Sequence, residues 1–412
     1  MSTRQTPESG LRFDRVGFLR EDTTGQIQSD PDWQYHSDDY ISFTWSPSPG
    51  STRRDGLGTP DPTGHDVGNE EHELTTAYRL QQALVDGNGD PLDAAGDAFV
   101  RNADNQIPNT HGILAREQRT TKSPDDPSDV RGARVYTVAK GGYPNLSVEA
   151  DPENDEPIPA ELTYQFEKIR SYEILQPASE SELAVVSTDD SDTMDIVIED
   201  EGASKTERLT LNGTTEVTTT DTDWTDIDAV ELVSEATGDV TLKISGGSDL
   251  MTIRGASHYS SDDQDLEGDL GVPVLGSGSH PSTTGSSFEH FQGDSVQRNS
   301  ADIAYDLNNI VLEVTNNYDM TSRHGSVRMR INEGNRDVLF TSDVIGEAES
   351  HDYIMESLTA GDEDITWTLS NTIFNLNSSA VSDSPERTRE SDGAAAAISV
   401  EFRSEDPNVA PA

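Results

Sequence analysis

The chain has 412 residues, more than one hydrophobic core usually holds, so two or three domains are expected. It carries 78 Asp and Glu against 28 Lys and Arg, a formal net charge of −50, and only 5 of the basic residues are lysine. Such self-repulsion suits a protein built for molar salt, where the Debye length shrinks to about 3 Å, and it disfavours adhesion to nucleic acid, which needs Lys and Arg.

Apolar content is 32%, yet period-2 segments argue against wholesale disorder. The chain has no cysteine, hence no disulfide or thiolate metal site. The opening MSTRQTPESG has no apolar core of a secretory signal, and no run approaches about 18 apolar residues, so no membrane span is expected.

Met1–Asp32 is polar and irregular and reads as an arm or terminal loop. Asp39–Trp45 (DYISFTW) alternates Ile41, Phe43 and Trp45 with Tyr40, Ser42 and Thr44, the period of a strand. Ser46–Asn69 is rich in Pro, Gly and Asp and lacks periodicity, so a long loop is expected, of a length that points to function. Glu71–Leu80 (EHELTTAYRL) is the returning strand. Pro91–Arg101 is expected as a short helix with Asp90 at its N-cap and Pro91 in its first position. Gly112–Arg119, Ala133–Ala139 and Ala160–Leu175 supply further strands, with acidic turns at Pro124–Asp129 and Asp151–Pro159.

Pro177–Gly255 changes character. Short strands follow closely: Leu183–Ser187, Asp195–Glu199, Glu207–Leu211, Glu216–Thr219, Asp228–Val233, Val240–Ile244 and Leu250–Arg254. Asn212-Gly213 and Gly246-Gly247 are strong turn signals. This density predicts an immunoglobulin-like sandwich, without the Cys–Trp–Cys hallmark. Ser257–Ser300, rich in Ser, Gly and Asp, reads as a connector laid over a surface.

The last part is expected to run strand, strand, helix, strand, strand. The strands are Asn308–Thr315, Ser326–Ile331, Asp364–Leu376 and Ala397–Arg403. The helix covers Asp343–Leu358, with Asp343 as its cap and Gly361 beyond its end. This order nearly repeats that of the first part. The chain is therefore expected to hold two copies of one β-sandwich flanked by a helix, with the immunoglobulin-like unit between them. The divisions fall at 1–176, 177–255 and 256–412.

Few residues suggest chemistry. Asp86, Asn88 and Asp90 stand at positions 1, 3 and 5 of a calcium loop, and Asp97 at position 12. Pro91 occupies the position that needs Gly, so a polar turn ending in a helix cap competes with the calcium reading. His65 and His72 flank Asp66, Glu70 and Glu71 without a metalloprotease motif, and His280 and His290 lie in the connector; surface histidines are expected. No nucleophile elbow, Walker loop or dinucleotide glycine pattern occurs, so neither an enzyme nor a cofactor is expected. Arg53, Arg54, Arg328 and Arg330 stand out against the acidic background. They either meet carboxylates of a neighbouring subunit, or pair within their own subunit or face solvent.

Four stretches and the order of elements carry a resemblance. The two-part strand–helix–strand plan, the long Pro/Gly loop Ser46–Asn69 and the closing pair Thr366–Leu376 (TWTLSNTIFNL) and Ala397–Arg403 (AISVEFR) look like tail tube proteins of long-tailed viruses. The segment Leu183–Ile253, with LTLNGTTEVTTT, is similar to immunoglobulin-like modules of virion proteins. With the acidic composition, the whole resembles the tail tube protein of a virus of halophilic archaea.

The resemblance implies two tube-like sandwich or barrel units that close into rings: three chains with six tube folds, or a hexamer. The rings stack, contact other tail proteins and let the genome pass without specific binding. Assembly then takes place in the host cytoplasm at high salt, and the protein resides in the virion. The Ser46–Asn69 arm is expected to lock ring to ring. The alternatives are a capsid turret or decoration protein, and a host-binding tail fibre or adhesin.

Overall fold

The computed structural model describes residues 12–21, 34–35, 40–48, 52–55, 62–66, 71–80, 83–100, 110–119, 127–151, 157–200, 202–258, 269–274, 295–302, 307–317, 319–322, 329–332, 336–345, 363–381, 386–388 and 397–412. Within them the chain is mainly β, in several antiparallel sheets, with one short α-helix and one 3-10 turn at Ala256–His258.

The first part contains β1 (Arg12–Arg20), β2 (Gln34–Tyr35), β3 (Tyr40–Ser48), β4 (Thr52–Asp55), β5 (Pro62–Asp66), β6 (Glu71–Arg79), α1 (Ala94–Phe99), β7 (His111–Arg119), β8 (Val130–Ala150) and β9 (Pro159–Pro177). The strands assemble in the order β3-β6-β9-β8-β7-β1-β2, every neighbour antiparallel. β1 falls inside the stretch read as an irregular arm; the rest of 1–32, apart from Glu21, lies outside the described residues.

β8 and β9 form one long hairpin whose ladder passes over Gly141 and Glu167. Gly141 holds a φ of 66°, a left-handed value that glycine adopts without steric cost. Before this break Ala160, Leu162, Tyr164 and Phe166 of β9 face one core; after it Tyr172 and Ile174 face another. The kink lets one hairpin serve two cores.

α1 starts later than the sequence suggests. Its N-cap is Asp93, not Asp90: the Asp93 side chain accepts the Gly96 N–H at 2.8 Å. Pro91 is held in a bridge with Val85, and the Leu92 N–H donates to the Leu84 carbonyl at 2.9 Å. That stretch is committed before a helix can begin. Gly96 lets the helix press on the Leu84 carbonyl, where a Cβ would sit 2.1 Å away.

The middle part contains β10 (Leu183–Ser187), β11 (Asp195–Asp200), β12 (Lys205–Thr210), β13 (Val217–Thr218), β14 (Ala229–Leu232), β15 (Val240–Ile244), β16 (Asp249–Ile253) and β17 (Gly271–Val272). Strands occur at every position the alternation predicted. They form two four-stranded sheets, β13-β10-β15-β16 and β12-β11-β14-β17. Gly213 and Gly246 take φ values of 58° and 68° in the expected turns. β17 lies beyond the expected boundary at 255, within the stretch read as a connector, yet it completes a sheet by pairing with β14. Both sheets feed one core around the buried Trp224.

That core does not stop at the middle part. It includes Leu19, Leu114, Tyr136, Val138, Tyr172 and Ile174 from β1, β7, β8 and β9. Alternate residues on the same strands, Val16, Phe18, Ile113, Ala115 and Ala139, belong to the other core. The β1-β7-β8-β9 layer is therefore buried on both faces.

The last part contains β18 (Ser295–Arg298), β19 (Ala301–Asp302), β20 (Leu307–Thr315), β21 (Asp319–Ser322), β22 (Met329–Asn332), β23 (Asp337–Ile345), β24 (Glu363–Thr368), β25 (Thr372–Val381), β26 (Glu386–Thr388) and β27 (Ala397–Pro411). Three expectations are corrected. Asp343 does not cap a helix: it lies in β23 opposite Ser399, because Val338, Phe340, Ser342 and Val344 follow the period-2 register set by β27. The remainder of the expected helix, 346–358, lies outside the described residues. Asp364–Leu376 is two strands, β24 and β25, joined by a turn in which the Leu369 N–H donates to the Thr372 carbonyl at 2.7 Å. Ser46–Asn69 is not structureless: after the end of β3 it holds the β4–β5 hairpin.

The pairing order of the first part recurs in the last. β3–β6 corresponds to β20–β23, β4–β5 to β21–β22, and β6–β9 to β23–β27. β7–β8 corresponds to β24–β25, β8–β9 to β25–β27, and β2–β1–β7 to β19–β18–β24. The registers agree in detail. Tyr40 opposite Tyr78 matches Leu307 opposite Val344, each followed by a bulge. Arg79 opposite Pro159 matches Ile345 opposite Ala397. The bulge between His111 and Ile113 matches that between Glu363 and Ile365. The break at Gly141 and Glu167 returns at Ser378 and Glu405, with Ser378 at a φ of 50°. We refer to the two parts as the first and second repeats.

The strand correspondence differs from the expected one. The counterpart of Glu71–Arg79 is Asp337–Ile345, not Ser326–Ile331. A seam joins the repeats: β20 lies antiparallel on the far end of β8, from Ile310 opposite Ala150 to Val314 opposite Leu146.

Candidate assembly interface

Each repeat sends out a two-stranded arm between its first two long strands: β4–β5 in the first and β21–β22 in the second. Neither arm pairs with a third strand among the described residues, although β22 of the second comes close to β9. An isolated two-stranded ribbon is marginal in water, so such an arm gains by docking. Arg53 stands opposite His65 and Arg54 opposite Gly64 on the first arm. Arg330 stands opposite Thr321 on the second. Arg328 lies outside the described residues. Arg53 and Arg54 thus stand on the outgoing strand of the first arm, and Arg330 on the return strand of the equivalent second arm.

The remaining sequence candidates do not meet. The Asp86 carboxylate accepts the backbone N–H of Asn88 at 2.8 Å and of Asp90 at 3.0 Å, and the Asn88 side-chain amide at 3.2 Å. The Asp90 and Asn88 backbone donors hold its carboxyl below the usual range. This is a self-bonded polar turn closed by the Val85–Pro91 bridge. Asp97 is engaged elsewhere. Its carboxylate accepts from Arg20 Nη2 at 2.7 Å and Nε at 3.1 Å, and lies 2.9 Å from His111 Nε2. The calcium reading of Asp86, Asn88, Asp90 and Asp97 is corrected to a turn and a buried ion-pair joint. Among the described residues no group of His, Asp and Glu is arranged to hold a metal.

Sequence reasoning missed that joint. His111 and Asp97 are fully buried, and the His111 ring sits edge-on between Phe18 and Tyr164. It ties β1, α1 and β7 together. Beside it Asp93, which also accepts from the Tyr78 hydroxyl at 3.0 Å, has its carboxyl pushed up to about 6 by burial. A sequence signal existed: alternation places His111 on the inward face with Ile113 and Ala115. In the second repeat the place of His111 belongs to Glu363, which forms a two-pronged pair with Arg298. His72, expected at the surface, is 7% exposed and lies in β6 opposite Phe166. His65 lies on the first arm, and His280 and His290 are outside the described residues.

Other arginines clamp the middle part to the first repeat. Arg116 and Arg134 share Asp228, Arg131 and Arg134 share Asp226, and Arg170 reaches Asp269 at 3.3 Å. The Gln176 amide exchanges two hydrogen bonds with Ile227, accepting its N–H at 2.8 Å and donating to its carbonyl at 3.0 Å. Among the described residues, Arg116, Arg131, Arg134 and Arg170 thus serve the joint between the first repeat and the middle part. No protein-family model matches the chain, and no curated protein is similar to it in sequence.

Proposed function

We propose that this chain is a structural protein of a viral tail, whose repeats line up in closed rings that stack into a tube for genome passage at high salt. The observation that carries this reading is the duplicated pairing order together with the seam. One chain already holds two equivalent units joined edge to edge by a continuous antiparallel ladder. Repeating that junction between chains extends the sheet, and a ring removes its open edges. Three chains give six units; six chains give twelve. The charge of −50 gives such a wall an acidic character that DNA does not adhere to.

In this reading each repeat is a tube unit, the middle part is an immunoglobulin-like module packed against one face of the wall, and the arms reach the adjacent ring. Electron microscopy of the purified chain in molar salt tests it. Stacked hollow rings are expected. Isolated trimers or spikes would favour a turret, decoration or fibre protein, a reading to which the two-sheet architecture of the middle part lends itself. Replacing residues 49–70 by a short turn is expected to leave rings intact and to abolish stacking.

A further inference from the structure

The seam inside the chain has an unused counterpart. In the first repeat β9 carries β8, and the far end of β8 meets β20. In the second repeat β27 carries β25 and then β26, with Glu386, Arg387 and Thr388 opposite Ser399, Ile398 and Ala397. Ser147 and Val148 stand opposite Glu161 and Ala160 in the first repeat. Tyr78 opposite Ala160 matches Val344 opposite Ile398. Arg387 therefore holds the place of Val148, and Glu386 that of Ser147. Thr388, one residue on, holds the place of Glu149. β26 is the second repeat's version of the seam strip, and β3 is the first repeat's version of β20. Among the described residues β26 pairs only with β27, and β3 only with β6.

We propose that β26 of one chain pairs antiparallel with β3 of a second copy, in the register of the internal seam. Within the chain Ser147, Val148 and Glu149 face Glu313, Leu312 and Val311. Carried across, Glu386 faces Ser46, Arg387 faces Trp45 and Thr388 faces Thr44. The two edges lie on different parts of one chain, so the contact is head-to-tail and must close or run on as a filament. The chemistry suits the register. Thr44 is exposed and would meet another threonine, a favourable cross-strand pair. Trp45 packs against the core as Leu312 does at the seam. The existence of a second copy rests on the ring-forming reading; the register rests on this chain's own seam.

The absence of native cysteine makes the test direct. Directly opposed strand residues bring Cα atoms within disulfide reach, about 4.5–5.5 Å, while a diagonal partner two residues on is about 7–8 Å away. The full chain carrying Thr44→Cys and Thr388→Cys, oxidised mildly in molar salt, should run on a non-reducing gel as a ladder of covalent oligomers. Its top band counts the chains in a ring. The pair Ser46→Cys and Glu386→Cys should do the same and guards against a folding defect in the first. Each single-cysteine variant should stop at dimers or monomers, and the shifted pair Ser42→Cys with Thr388→Cys should stay monomeric. Rings seen by microscopy without cross-linking, or cross-linking of the shifted pair, would overturn the register while leaving the ring. Neither rings nor cross-links would overturn both.

Discussion

Where the first repeat sets Gly142 opposite the ring of Phe166, the second sets Ser379 opposite Ser404 at the same place in the ladder. A Cβ on Gly142 would lie 2.1 Å from that ring, so the large residue is admitted because its neighbour has no side chain. In the second repeat two small residues share the space, and each hydroxyl donates to a nearby carbonyl, Ser379 to Leu376 at 2.8 Å and Ser404 to Asn377 at 2.9 Å. The bulges show the same exchange. His111 with Asp97 and Arg20 in one repeat is replaced by Glu363 with Arg298 in the other. Interior sites change as complementary sets, while the backbone register that connects them stays fixed. The repeats therefore match in pairing but scarcely in residue identity.

The largest effect should come from taking away what both repeats need, the salt. Dialysis from molar to millimolar salt is expected to unfold both, seen as loss of the β signal in circular dichroism, because the −50 charge is no longer screened. An unchanged melting temperature would end the high-salt interpretation.

The two ion-pair joints should differ. Glu363→Ala removes the two-pronged carboxylate partner of Arg298, whose side chain is only 10% exposed. A loss of about 4 kcal/mol is expected in urea denaturation at high salt. Asp97→Ala should cost less, about 2 kcal/mol, since the Arg20 side chain is 44% exposed and can turn to solvent, and the loss is then that of the hydrogen-bond partner of buried His111. The reverse ranking would show that the first joint is the tighter one.

Gly142→Ala should cost roughly 2 kcal/mol by overpacking the Phe166 ring, whereas Ser379→Ala should cost about 1 kcal/mol for one hydrogen bond. Combining Gly142→Ser with Phe166→Ser copies the second repeat's solution, and thermal melts should find the double variant less damaged than Gly142→Ser alone.

The smallest effect concerns Asp93. Burial raises its carboxyl to about 6 in the folded state, from an ordinary value of 3.8. The folded chain then holds this proton more tightly than the unfolded one. The group's contribution is full below pH 3.8, falls as pH rises through 6, and is unfavourable at neutrality. Asp93→Asn keeps the helix cap without the charge. It should raise stability at pH 7 by on the order of 1 kcal/mol and change little at pH 4. A destabilised variant at pH 7 would mean that the cap needs the full carboxylate.

Much of the strand content was legible in the sequence. The middle part was read best, because its strands are short, their alternation is clean and Asn212-Gly213 and Gly246-Gly247 mark the turns. β23 was lost to a competing signal. Asp343 before Val344 and Ile345 imitates a helix start, and only pairing with β27 resolves the period in favour of a strand. The arm hairpin was invisible because β4 and β5 have no apolar alternation, only Thr-Arg-Arg-Asp and Pro-Thr-Gly-His-Asp. The joint at His111 was hidden for a different reason. Its partners Asp97 and Arg20 are distant in sequence, and a calcium-like spacing drew Asp97 into the wrong company.

The seam between β8 and β20 also sets a timetable for synthesis. The stretch from Leu146 to Ala150 leaves the ribosome well before its partner, because the whole middle part is made in between. Until β20 arrives, that stretch is an open edge, and open edges invite pairing with foreign strands. The middle part shares a core with β8 and β9, so it can collapse onto them while the chain is still growing and leave only the short edge waiting. In a crowded polysome the β20 of a neighbouring chain can reach that edge first. Two chains would then exchange second repeats, a domain swap with every native pair in place but in the wrong partner. The interval between translating the two halves of the seam is thus a window in which concentration decides whether a monomer or an entangled pair is made.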